Sequence, residues 1–146
     1  MQGGKQLKRK VEGSLGSTGS TFRGTLRPER QKRIPAFFYR TEAGNEPVRS
    51  WLKSLETEDR RLIGQDIQTV EFGWPVGMPT CRPMGEGLHE VRTELFRNRI
   101  ARVFFYVDRH KRMVLLHGLL KKTRATPASD LELARLNKRK HEKALE

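Results

Sequence analysis

Three strand-like runs crowd the second half of the chain, and the shortness of the links between them limits the possible folds more than any other feature. The runs are Leu88–Leu95, Ile100–Val107 and Met113–Leu120. Only Phe96-Arg97-Asn98-Arg99 separates the first two, and the turn that opens Asp108-Arg109-His110-Lys111 separates the second pair. Parallel neighbours need a crossover of about a dozen residues or more, so links this short predict an antiparallel meander.

What precedes the meander reads as a strand and a helical hairpin. Ala36-Phe37-Phe38-Tyr39 is a short apolar run, followed by the turn sequence Gly44-Asn45-Glu46-Pro47. Pro47 suits the first position of a helix, and Val48, Trp51, Leu52 and Leu55 recur at helical spacing behind it. Thr57 is a candidate N-cap for a second helix, with Glu58 and Asp59 placed favourably near its positive end. Leu62, Ile63, Ile67 and Val70 give that helix an apolar stripe ending near Gly73. Gly73 to Pro79 is rich in Gly and Pro and reads as a loop. After the meander, Thr126 can cap a last helix with Pro127 at its first position. Ser129 to Glu132 offers a competing capping box one turn later. The expected fold is a small α+β domain: an N-terminal strand and helical hairpin, an antiparallel three-strand meander and a C-terminal helix. Its sheet is expected to be curved, with the helices packed to one side.

Charge points to the class of partner. The chain carries 30 Lys and Arg against 17 Asp and Glu in 146 residues, a formal net charge of +13. Such an excess favours a polyanion, because Lys and Arg release the counterions condensed on phosphates. Contact with nucleic acid or the ribosome is therefore expected. Residues 1–36 are Gly-, Ser- and Lys-rich and hold nine basic residues against Glu12 and Glu29. They bury too little apolar surface to offset their ordering entropy, so a disordered basic extension is expected over 1–36 and a folded domain over 37–146. No run approaches the roughly 20 apolar residues of a membrane helix, and no membrane partner is expected. Cys81 is the one cysteine, and no Cys or His cluster has metal-ligand spacing. A cytoplasmic protein without metal or cofactor is expected.

Side-chain alternation groups the polar residues of the meander. Leu88, Glu90, Arg92 and Glu94 share one strand face, and Ile100, Arg102, Phe104 and Tyr106 share another. Arg102, set between Ala101 and Val103, is costly to bury unpaired. It could pair with Glu90 or Glu94 across the strands, for less than about 1 kcal/mol. It could equally join Arg92 on an open face that receives a phosphate, with Lys121 or Lys122 at the end of the last strand as a further cation. Such a set stabilises the extra negative charge of a phosphoryl-transfer transition state. His89 and His117 are the strand histidines and candidate bases, although His117 among leucines also reads as a packed core residue. Glu90 is the alternative base. Trp51, Trp74 and Phe104 to Tyr106 read as core. No Gly-rich phosphate loop or nucleophile elbow is present.

The segments PVRSWLKSL, LHEVRTEL, RIARVFFYV and VLLHGLLKKTRATP, in that order, resemble the RelE/ParE toxin superfamily, and within it the phage-derived, HigB-like branch of type II toxin–antitoxin toxins. The resemblance covers about residues 36–141. It implies a ribosome-dependent mRNA endonuclease in which the ribose 2′-OH attacks the adjacent phosphate without a metal. It also implies a cognate antitoxin, of the helix-turn-helix type, that silences the toxin. Carried over by position, the basic pair of the first meander strand falls on Glu90 and Arg92, the phosphate-contacting arginine on Arg102, and the basic residue after the last strand on Lys121 or Lys122. Glu90 or His117 would move protons. Two departures stand out: Glu90 replaces a basic residue, and no Tyr follows the Lys pair. Other branches imply rival readings, a non-catalytic inhibitor of a protein such as gyrase, or an inactive phage relic that binds nucleic acid through charge.

Overall fold

A computed structural model describes residues 31–121 and 126–146. Its elements are β1 (Ala36–Phe38), α1 (Pro47–Lys53), α2 (Thr57–Gly73), β2 (Cys81–Gly85), β3 (Leu88–Leu95), β4 (Arg99–Val107), β5 (Met113–Lys121) and α3 (Ala128–Ala144). The strands form one sheet in the order β1-β5-β4-β3-β2. β2 to β5 are antiparallel neighbours, and β1 joins β5 in parallel with Ala36 opposite Met113. The meander is therefore four strands long instead of three. Its extra member, Cys-Arg-Pro-Met-Gly, contains Pro83 and Gly85, which a strand tolerates at a sheet edge and which hide it from a pattern reading.

Helices cover both faces of the sheet, which corrects the one-sided packing expected from sequence. Ile63, Ile67 and Val70 of α2 pack with Val91, Val103, Phe105 and Leu115 on one side. Ala134 of α3 packs with Leu88, Phe104, Tyr106 and Leu116 on the other. The cause lies in β4, where Ala101 to Tyr106 are buried without interruption. A strand covered on both faces loses the apolar–polar alternation that would reveal its sidedness.

Packing contacts reach residues before 37. Ile34 is 1% exposed and belongs to the α2-side core. The backbone N–H groups of Arg33 and Ile34 donate to the Glu71 carbonyl at 2.8 and 3.2 Å. The Glu71 carboxylate accepts from the Ala36 N–H at 2.6 Å and pairs with Lys32 at 3.1 Å. Residues 1–30, the bulk of the expected extension, lie outside the described residues. Pro47 opens α1 as expected. α2 and α3 each begin one residue away from the expected caps: Thr57 is the first residue of α2, and Pro127 sits at the N-cap position of α3 without a side-chain hydrogen bond.

Two contacts outside the strands hold β5 in place. A Cβ at Gly118 would lie 2.5 Å from ring carbons of Trp51, so α1 reaches the sheet through a glycine-sized gap. At the β4–β5 turn, Asp108 Oδ1 accepts the backbone N–H groups of His110 and Arg112 at 2.9 and 3.0 Å, and Oδ2 accepts Arg112 Nε at 2.8 Å. Burial alone would raise the Asp108 pKa, but the hydrogen bonds from Arg112 and His110 outweigh it and hold the carboxyl below its ordinary value.

Gly118→Ala is expected to cost about 1–3 kcal/mol by overpacking, read from urea denaturation. Gly77→Ala, where a Cβ meets open space, should change little. Asp108→Asn should destabilise by about 1–3 kcal/mol at neutral pH. Because the folded pKa is lowered, that contribution is present above the unfolded value of about 4 and is lost as pH falls through the folded one. The two proteins should therefore converge in stability under acid titration.

Candidate functional site

The register places the charged residues of the meander on the face that carries α3. Arg82 on β2 is opposite Glu90 on β3, and Glu90 is opposite Phe104 on β4. One step along the same face, Arg92 is opposite Arg102, and Arg102 is opposite Leu119 of β5. A further step brings Glu94, Ile100 and Lys121 into line. Arg92, Arg102 and Lys121 thus lie on adjacent rows of one surface. Lys122 lies outside the described residues.

Glu90 is the centre of this surface. It is fully buried, and its Oε2 accepts from Arg102 Nη1 at 2.8 Å. Its Oε1 accepts from Arg82 Nε at 3.2 Å, with Arg82 Nη2 at 3.1 Å. Thr126 Oγ1 approaches Oε2 at 3.5 Å from the start of α3. Arg102 is 1% exposed. Of the two partners weighed for it, Glu90 is the one it meets, while Glu94 is exposed and faces Ile100. The pair belongs to a different energetic regime from an exposed cross-strand pair. Both ions have left water, and each is tolerated because the other is present. Arg92 is half-buried and makes no side-chain ion pair among the described residues.

His117 sits beside this cluster. Its Nε2 is 2.7 Å from Asp130 Oδ1 in the first turn of α3, and its ring lies parallel to Phe104, with centroids 6.3 Å apart. His89 is on the other face, stacked on Phe105 and edge-on to Trp74, where burial pushes its pKa down. The fold therefore separates the two strand histidines and brings only His117 to the arginines. Sequence reading passed over Arg82, Thr126 and Asp130 as members of this cluster. Arg82 stands on the strand that Pro83 conceals, Thr126 reads as a helix cap, and Asp130 falls between Ser129 and Glu132 of the competing capping box.

Residues 50–139 match the family model described as Phage derived protein Gp49-like (DUF891), a stretch that runs from within α1 to within α3 and holds every clustered residue named above. The chain belongs to this family. Gp49-like proteins are a phage-derived, toxin-like family of the RelE type. Among curated proteins, none matches this Gp49-like chain. No helix among its described residues is long and apolar enough to cross a membrane.

The buried pair of this Gp49-like domain makes a testable demand. Glu90→Gln removes the carboxylate that faces the buried Arg102 and should cost about 3–5 kcal/mol, whereas replacing both residues by apolar ones of similar volume should recover most of the loss. Glu94→Gln should stay within about 0.5 kcal/mol of the parent. Urea midpoints of the four proteins decide the matter.

Proposed function

We propose that this Gp49-like protein is a toxin that cleaves mRNA on the ribosome, and that a helix-turn-helix antitoxin restrains it. The observation that carries the reading is the alignment of Arg92, Arg102 and Lys121 on one sheet face, in a chain of RelE-type toxin-like family. In the reaction, the ribose 2′-oxygen forms a bond to the adjacent phosphorus while the bond from phosphorus to the 5′-oxygen breaks. The products are a 2′,3′-cyclic phosphate and a 5′-hydroxyl end.

The roles divide by exposure. Arg92 and Lys121 reach the phosphate and neutralise the charge that builds on its oxygens. Arg102, enclosed behind them, acts through its partners. Glu90 is assigned to positioning, because Arg82 and Arg102 occupy both of its oxygens. His117 takes the proton from the 2′-hydroxyl. Asp130 fixes the imidazole by accepting Nε2–H, which leaves Nδ1 as the acceptor nitrogen. Lys121 or Lys122 assists departure of the 5′-oxygen.

In a reconstituted translation reaction with mRNA ends mapped by primer extension, cuts should require ribosomes and follow the reading frame. Arg92→Ala should slow them by about 100-fold or more, the usual loss on deleting one preorganised transition-state donor. Ribosome-dependent cuts that persist unchanged in Arg92→Ala and in His117→Ala would remove this site from the reaction. A second reading, inhibition of a protein target such as gyrase, is favoured by the enclosure of Arg102, which keeps that arginine from direct contact with a ligand. It predicts DNA-damage signalling with intact mRNA.

A further inference from the structure

We propose that Arg82 binds a second phosphate of the RNA strand, flanking the one cut beside Arg92, and that Glu90 is the positioning residue that aims it. This inference rests on the RNA-cleaving reading above. Its test, however, does not use cleavage.

Arg82 stands on the edge strand β2, directly across from Glu90. Its Nε and Nη2 both approach the same oxygen of that carboxylate, so one edge of the guanidinium is held from behind. Its Nη1 donates to no acceptor among the described residues, and its side chain is 36% exposed. The planar fork therefore has a fixed back and an open front, the arrangement in which arginine loses least freedom on gripping an oxyanion.

The charge balance supports the same conclusion. Glu90 carries one negative charge and meets two arginines, and the enclosed Arg102 already compensates it. The charge of Arg82 is surplus on this surface. Arg92 follows Glu90 by two residues along β3, about 7 Å further on the same face. Lys121 lies on β5, three strand spacings from β2, or about 14 Å across the sheet. Cations at these separations cannot all serve one phosphate. Arg92 and Lys121 serve the phosphate that is cut, and Arg82, at the β2 margin, fits a neighbouring phosphate of an extended single strand.

The experiment measures binding of the full chain to a short, fluorescein-labelled single-stranded RNA of mixed sequence by fluorescence anisotropy across a salt series. Each phosphate contact on a single strand contributes about 0.7 to the slope of log affinity against log salt. Arg82→Ala should lower the slope by about that amount and weaken binding at low salt. Arg82→Lys should restore the slope, since a phosphate contact needs the charge, whereas a merely structural grip on Glu90 would need the fork. Arg40→Ala removes an equal charge just past β1, at the opposite edge of the sheet, and should leave the slope unchanged. A slope indifferent to Arg82→Ala overturns the proposal, as does an equal drop in Arg40→Ala. Arg82-dependent binding without ribosome-dependent cuts supports this site and removes only the cleavage reading.

Discussion

One buried carboxylate organises the charged face of this protein. Glu90 has no access to water and lies between two arginines, one enclosed and one open to solvent. Glu90 supplies the carboxylate that makes burial of the Arg102 charge beside Phe104 and Leu119 tolerable. With it, a cationic surface can be built directly on a packed sheet. The same carboxylate ties three consecutive strands together through side chains, since Arg82, Glu90 and Arg102 come from β2, β3 and β4. Electrostatics and architecture are here the same set of bonds.

The sheet that carries this cluster is sandwiched, and its central strand is the reason. β4 presents Val103 and Phe105 to the hairpin of α1 and α2, and Phe104 and Tyr106 to α3. α3 covers only part of its face. Its first turn reaches the sheet where Asp130 meets His117, and the neighbouring row carries half-buried Arg92 opposite the enclosed Arg102.

Much of this was legible in the residues, and the gaps have physical causes. Helical spacing located α1 and α2, and the short links foretold an antiparallel meander. Alternation alone put Glu90 with Arg92, and Arg102 with Phe104, on shared faces, and the register confirms both groupings. What alternation cannot convey is which face a second helix covers when a strand is apolar on both sides, as in Ala101 to Tyr106. Nor could it expose β2, whose proline and glycine speak against a strand everywhere except at an edge. Ile34 lies in a Gly-, Ser- and Lys-rich stretch without periodicity, and it is buried where its N–H donates to the Glu71 carbonyl, nearly forty residues away. Arg82 and Asp130 were out of reach for the same reason: their partners are set by tertiary register, not by spacing.

The parallel pairing of β1 with β5 carries a consequence for the chain's synthesis. Among the described residues, β1 finds its one sheet neighbour in β5, more than seventy residues later, with Phe37 beside Val114 and Phe38 beside Leu115. Contacts this distant along the chain form late and slowly. A nascent chain halted before Met113 has its first strand unpaired, and it lacks both His117 and Lys121. Interrupted translation therefore yields fragments in which β1 lacks its partner and the cations of β2 to β4 lack that of β5.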